Sequence, residues 1–216
     1  MTNRWLTRAL VAVAVPALLV PAVATSATAA VKPPAVPTLD AVAEIYPHLA
    51  GGYADITREK VTDTGKNCKS GDVIKGATGR DAFYIPKAEE NDPAELLPTG
   101  EAPYVFVSAA RFTSTKVAHE FLLANRTDAR NCIGIDSPLG PRPKTTLKKI
   151  RVDLGAESWG YQVTWATKKA SNFATALFVR KGNRVISVFN MAVAGSTAPS
   201  IPKSIDLARL AMKTAG

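Results

Sequence analysis

The sequence predicts an α+β domain: an antiparallel β-sheet of about five to six strands, two or three helices packed on it, and one disulfide. Three observations carry this. Residues 147–167 alternate apolar and polar side chains over two successive runs, the signature of half-buried strands. Gly182-Asn183 separates two apolar runs by the two residues that a primed hairpin turn requires. Helical periodicity appears both before this strand-rich block and at the end of the chain, and strands followed in quick succession favour antiparallel neighbours.

Residues 1–30 place Arg4 and Arg8 ahead of an apolar run from Ala9 to Ala24 and a small-residue stretch ending Ala27-Thr28-Ala29-Ala30. This three-part order is that of a cleavable secretory signal peptide. The run holds Pro16 and Pro21 and falls short of the ~20 residues of a bilayer-spanning helix, so export of a soluble protein is expected, with cleavage after Ala29 or Ala30. No cysteine stands near that point to take a lipid anchor. The proline-dense stretch 31–37 reads as an extended leader, and 38–216 as a single domain, expected to be a monomer.

Thr38 can cap a short helix carrying Leu39, Val42, Ala43 and Tyr46 on one side, with Pro47 at its end. Residues 51–81 are polar and turn-rich; little regular structure is expected there beyond a weak strand at 72–75. A short strand follows at 81–86, then an acidic, proline-punctuated loop with Glu89, Glu90, Asp92, Glu95 and Glu101. In 103–111 both alternating sets are apolar, which suits a strand covered on both faces.

Phe112 precedes Thr113, a candidate helix cap, with Val117 placed to pack back on Phe112 as a hydrophobic staple. The helix should bury Val117, Ala118, Phe121 and Leu122 and run toward Cys132. The chain holds two cysteines, Cys68 and Cys132. In an exported protein they are expected to form a structural bridge, which for a loop spanning 68–132 contributes at most about 4 kcal/mol.

Four strands complete the sheet. In 147–154, Ile150, Val152 and Leu154 oppose Lys149 and Arg151; in 158–167, Trp159, Tyr161, Val163 and Trp165 oppose Gly160, Gln162 and Thr164. The runs 174–181 and 184–193 form the hairpin. Ile205, Ala208, Ala211 and Met212 then oppose Asp206, Arg209 and Lys213, a terminal amphipathic helix for which the Trp159–Trp165 stripe offers an apolar bed.

Composition is that of an ordinary globular chain, 46% hydrophobic and 21% charged, which sets aside disordered and multi-span membrane classes. The net charge is +9. Loss of Arg4 and Arg8 with the signal peptide, which has no acidic residue, leaves +7. The excess favours anionic partners, and export argues against nucleic acid. The two histidines, His48 and His119, stand apart, so a metal centre or Ser-His-Asp triad is not expected. No Gly-rich phosphate or dinucleotide loop and no Gly-X-Ser-X-Gly occurs, and no cofactor is implied. Two surfaces are candidates for binding. The run Arg142, Lys144, Lys148, Lys149, Arg151 has no acid within it and could meet phospholipid headgroups or anionic wall polymers, though a lysine-protected strand edge has the same composition. The stripe Trp159, Tyr161, Trp165 could line a ligand site, though such stripes are more often core.

The passage Val107-Ser108-Ala109-Ala110-Arg111-Phe112 with Ser114, Ala118, Phe121 and Cys132, the hairpin Phe178-Val179-Arg180-Lys181-Gly182-Asn183-Arg184-Val185, and the Ala-rich closing helix together resemble the PknH-like extracellular sensor domain family. That family is found at the outer end of mycobacterial receptor kinases and in secreted or lipid-anchored stand-alone proteins. The resemblance spans roughly 38–215 and implies an antiparallel sheet with packed helices and a cleft for an unidentified ligand. Cys132 is the one position it carries over. Members typically hold two disulfides, whereas this chain can make one, and no kinase segment or spanning helix accompanies it.

The expected function is therefore an exported, non-enzymatic, ligand-binding module of the cell envelope, recognising an amphipathic or anionic envelope molecule. An envelope hydrolase with an unfamiliar site and a structural wall protein retained by charge are the alternatives.

Overall fold

The chain folds around one sheet, seen in a computed structural model that describes residues 32–64, 70–87, 104–132, 144–166, 171–192 and 197–216. The expected signal peptide, the acidic loop at 89–101, Cys68 and Arg142 lie outside these residues. Cys132 is described only as the last residue of a helix, so the disulfide stands as an expectation.

After the leader come a short helix α1 (Leu39–Ala43) and a 3₁₀ turn (Pro47–Leu49). Thr38 caps α1, its side chain accepting from the Ala41 amide at 3.4 Å. Strands β1 (Tyr53–Glu59), β2 (Thr62–Thr64), β3 (Ser70–Val73), β4 (Thr78–Ile85) and β5 (Tyr104–Arg111) precede the long helix α2 (Thr115–Cys132). Strands β6 (Lys144–Ile150), β7 (Glu157–Ala166), β8 (Ser171–Lys181) and β9 (Arg184–Ala192) then lead to α3 (Ile201–Thr214).

Seven strands pair in the order β1-β4-β5-β9-β8-β7-β6, and β2 and β3 form a separate ribbon. Every pairing is antiparallel. The class is the α+β one that the alternation predicts, with more strands. The little regular structure expected over 51–81 is corrected: β3 overlaps the weak strand expected at 72–75, but sequence patterning misses the short β2 and, in the main sheet, β1. It is an edge strand, exposed along nearly its whole length, so no buried face imposes an alternation on its side chains. Asp55, Arg58 and Glu59 give it the charged composition by which free edges resist further pairing.

The hairpin β8–β9 turns at Gly182-Asn183, where Gly182 has φ +59°, a conformation that favours glycine. Asn183 locks the turn to the rest of the sheet by donating to the Phe112 carbonyl at 2.8 Å. Strand β6 ends at Ile150, so 151–154 is not part of the strand expected over 147–154.

Two cores flank the sheet. On one face Val105, Val107, Leu177, Val179, Ile186 and Val188 pack against Leu207, Ala208 and Ala211 of α3 and against Val42 and Leu49. This layer reaches back into the leader: Val36 belongs to it and the Tyr84 hydroxyl donates to the Pro37 carbonyl at 2.7 Å, so packed structure begins before Thr38. A buried polar link crosses the same layer. The Asn190 side-chain amide donates to the Tyr46 hydroxyl at 2.9 Å and to Ser204 Oγ at 2.7 Å.

On the other face Trp159, Tyr161, Val163 and Trp165 pack with Phe112, Ala118 and Leu122. The bed of the C-terminal helix is therefore the opposite face, and the tryptophan stripe meets α2 instead. Alternation along β7 shows which residues share a face but carries no information on which helix covers it. The α2 cap also differs from expectation by one residue: Ser114 Oγ accepts from the Val117 amide at 3.2 Å, the role expected of Thr113. Phe112 still meets the helix, its ring tilted at 42° to that of Phe121 with centroids 4.9 Å apart.

Candidate functional site

Helix α2, the segment 152–156 and the start of β7 enclose a cleft of about 450 Å³, within the ~300–1,000 Å³ typical of small-molecule sites. The helix contributes His119, Leu122, Leu123 and Arg126, which the 3.6-residue repeat places on one face. The opposite wall is a backbone turn held close to β8. Gly155 has φ +64°, and a Cβ there would stand 2.4 Å from the Arg180 carbonyl oxygen, the same oxygen that accepts from the Ala156 amide at 2.9 Å.

Glu157 joins the two walls. His119 Nδ1 lies 2.7 Å from Glu157 Oε1, and Arg180 Nε donates to Oε2 at 3.0 Å. Arg180, itself buried, is fixed by a second bond from Nη1 to the Gly182 carbonyl at 3.0 Å. These hydrogen bonds, first from Arg180 and then from His119, outweigh desolvation and hold the Glu157 carboxyl down at about 2. Ionised Glu157 only accepts, so His119 Nδ1 donates to it.

In this arrangement both Glu157 and the serine beside it are engaged by other groups of the chain. The serine beside Glu157 is tied to backbone, Ser158 Oγ donating to the Val152 carbonyl at 2.8 Å and accepting from the Leu154 amide at 3.3 Å. A carboxyl held near 2 is ionised at neutral pH.

The floor of the cleft is Trp159, 8% exposed and stacked at 4.0 Å on Phe178. Its indole N–H is buried without a hydrogen-bond partner. Trp159 thus lines the cleft, while Tyr161 and Trp165 sit in the core beneath α2. The indole N–H of Trp165 and the side-chain carbonyl of its register partner Asn172 are likewise buried and unpartnered.

The basic run does not converge on one surface. On the edge strand β6 the register pairs Lys144 with Ala166, Lys148 with Gln162 and Lys149 with Tyr161. Lys144 and Lys148 thus share the α3 side of the sheet, and Lys149 the α2 side. Arg151 follows the end of the strand, exposed like the three lysines.

A second, smaller cavity of about 160 Å³ lies on the α2 face between β1–β2 and the sheet. Asp81, Ser108 and Ser187 form a cross-strand row on its floor. Burial pushes the Asp81 carboxyl up, against a hydrogen bond from Ser108 that favours the ionised form. None of His119, Glu157, Arg180 and Asp81 was among the candidate binding residues read from sequence, where His119 was set aside and Arg180 entered only as part of the hairpin, because cross-strand rows and the α2–β7 seam join positions far apart in the chain.

A seven-stranded antiparallel sheet with helices packed on both faces and a helix-walled cleft of mixed polarity is an architecture of the α+β class. Such a fold is known: the chain is similar to the crystal structure of the extracellular domain of PknH from Mycobacterium tuberculosis, with a TM-score of 0.56 and 10% sequence identity, over 83% of this chain and 92% of that one. At this identity the likeness is one of fold. No family model matches the sequence, and no curated protein is similar to it.

Proposed function

We propose that the protein is an exported, non-enzymatic ligand-binding module of the cell envelope, sensor-like in fold, which recognises an amphipathic or anionic envelope molecule in the cleft between α2 and β7. The observation that carries this reading is the cleft itself. It is of ligand size, walled by α2, and its one strongly perturbed carboxyl, Glu157, is locked in an ion pair instead of being poised for proton transfer. The fold shared with an extracellular domain and the N-terminal signal-peptide pattern support an extracytoplasmic location. No helix among the described residues is long and apolar enough to cross a membrane. The Cys68–Cys132 bridge belongs to the same proposal; free thiols in the exported protein under non-reducing conditions would overturn it.

The test is native mass spectrometry of the protein purified from its own host. A retained small-molecule mass, lost when Arg126 or Trp159 is substituted, supports the reading. Turnover of wall material by the purified protein would replace it with the hydrolase alternative. A bare protein, released from envelope by moderate salt, would favour a structural protein retained by charge.

A further inference from the structure

We infer that the α2–β7 cleft recognises its ligand through a saccharide. The inference rests on the binding-module reading above and names the chemical class that the cleft accommodates. Its polar groups are mixed, not of one sign. Arg126 donates, while Asp153 and Glu157 accept. The charge of Glu157 is already matched by Arg180 at 3.0 Å, which leaves Arg126 and Asp153 as lining groups of opposite charge. A free phosphate or carboxylate would face Asp153, and an ammonium would face Arg126. A hydroxyl both donates and accepts, and a sugar ring carries several hydroxyls at fixed spacing, so it satisfies both kinds of group at once.

The floor points the same way. Trp159 and Leu122 give an apolar base, and Leu123 beside them is 45% exposed. The C–H face of a sugar packs on such a surface while its hydroxyls reach the rim. A purely lipid occupant would leave the charged rim unsatisfied, which is costly for closely covered polar groups. Glu157, held ionised, supplies an acceptor for a sugar hydroxyl.

The test titrates the full exported chain with chitotetraose and, separately, maltotetraose, reading amide chemical shifts by NMR. Sodium oleate and sodium phosphate are run alongside. The expected result is a saturable shift with at least one sugar, confined to 119–126 and 152–159, and weakened about tenfold or more in Arg126→Ala, as loss of a charge-assisted hydrogen bond implies. Arg126 is exposed, so this variant should fold. Absence of a saturable shift with both sugars overturns the saccharide assignment. If oleate or phosphate then shifts the same residues, the assignment falls while the binding-module reading stands. If either sugar is cleaved, the non-enzymatic reading falls while the saccharide class stands.

Discussion

His119 on α2 and Glu157 at the start of β7 meet at 2.7 Å, and this contact ties the helix to the strand whose tryptophan floors the cleft. The pair is worth more as a positioning device than as a source of stability. Both side chains are partly solvent-exposed, at 42% and 32%, where ion pairs contribute about 1 kcal/mol or less.

The pH dependence of that contact has a definite sign. The folded-state value of Glu157, about 2, lies below its ordinary value of 4.5. Ionised Glu157 therefore stabilises the fold above about pH 4.5, and this contribution is lost as the pH falls toward 2. Thermal melts should show the wild type losing its advantage over Glu157→Gln across that window. Parallel curves for the two proteins at every pH would remove the ion pair from the account.

Asp81 is predicted to behave oppositely. Burial raises its carboxyl, so the folded chain holds that proton more tightly than the unfolded chain, and stability from this group is lost as pH rises through the raised value. Asp81→Asn, still able to accept from Ser108, should raise Tm at neutral pH, with the difference shrinking in acid. A lower Tm at neutral pH would mean that the carboxylate is compensated in the fold.

Gly160 measures how tightly β7 and β8 approach the α3-side core. A Cβ at this position would lie 2.4 Å from Leu177 Cδ2 and 3.0 Å from the Ala176 carbonyl oxygen, and Leu177 is fully buried. Gly160→Ala should destabilise by about 1–3 kcal/mol, the usual cost of overpacking, checked by chemical denaturation. An unchanged midpoint would show that Leu177 can move aside.

The bonds from Asn190 to Tyr46 and Ser204 are predicted to act as a unit. Burial pushes the Tyr46 hydroxyl up to about 12, so it stays neutral over the accessible range. Asn190→Ala should cost about 2–3 kcal/mol, because it leaves buried partners unpaired. Adding Tyr46→Phe should cost less in that background than in the wild type. Full additivity in denaturation would show that the two residues are not coupled.

The β6 lysines give a prediction on retention. Lys148 and Lys149 face opposite sides of an edge strand, so one flat anionic surface cannot engage both side chains equally. If charge holds the protein on isolated envelope, Lys148→Gln and Lys149→Gln should lower low-salt retention unequally, with the larger loss marking the face that docks. Unchanged retention after neutralising Lys148, Lys149 and Arg151 together would exclude this strand as a binding surface.

Local signals in the sequence were sufficient where one short segment carries its own instruction. The Gly182-Asn183 turn, the alternation of Trp159 to Trp165 and the amphipathic α3 are of this kind. The edge strand β1 was not legible, since an exposed strand needs no apolar face. Nor was the pairing of the tryptophan stripe with α2 in place of α3, which depends on how the sheet is layered. The site was least legible of all: His119, Glu157 and Arg180 lie on three elements and converge only through the β7–β8 register and the seating of α2, and no spacing motif links them.

The most direct test of the cleft as a ligand site is hydrogen–deuterium exchange of the full exported chain, with and without soluble envelope extract from its host. Protection concentrated at 119–126 and 152–159, and abolished by Arg126→Ala, is the predicted result. Protection confined to β6, or none at all, would contradict a ligand-binding role for the cleft.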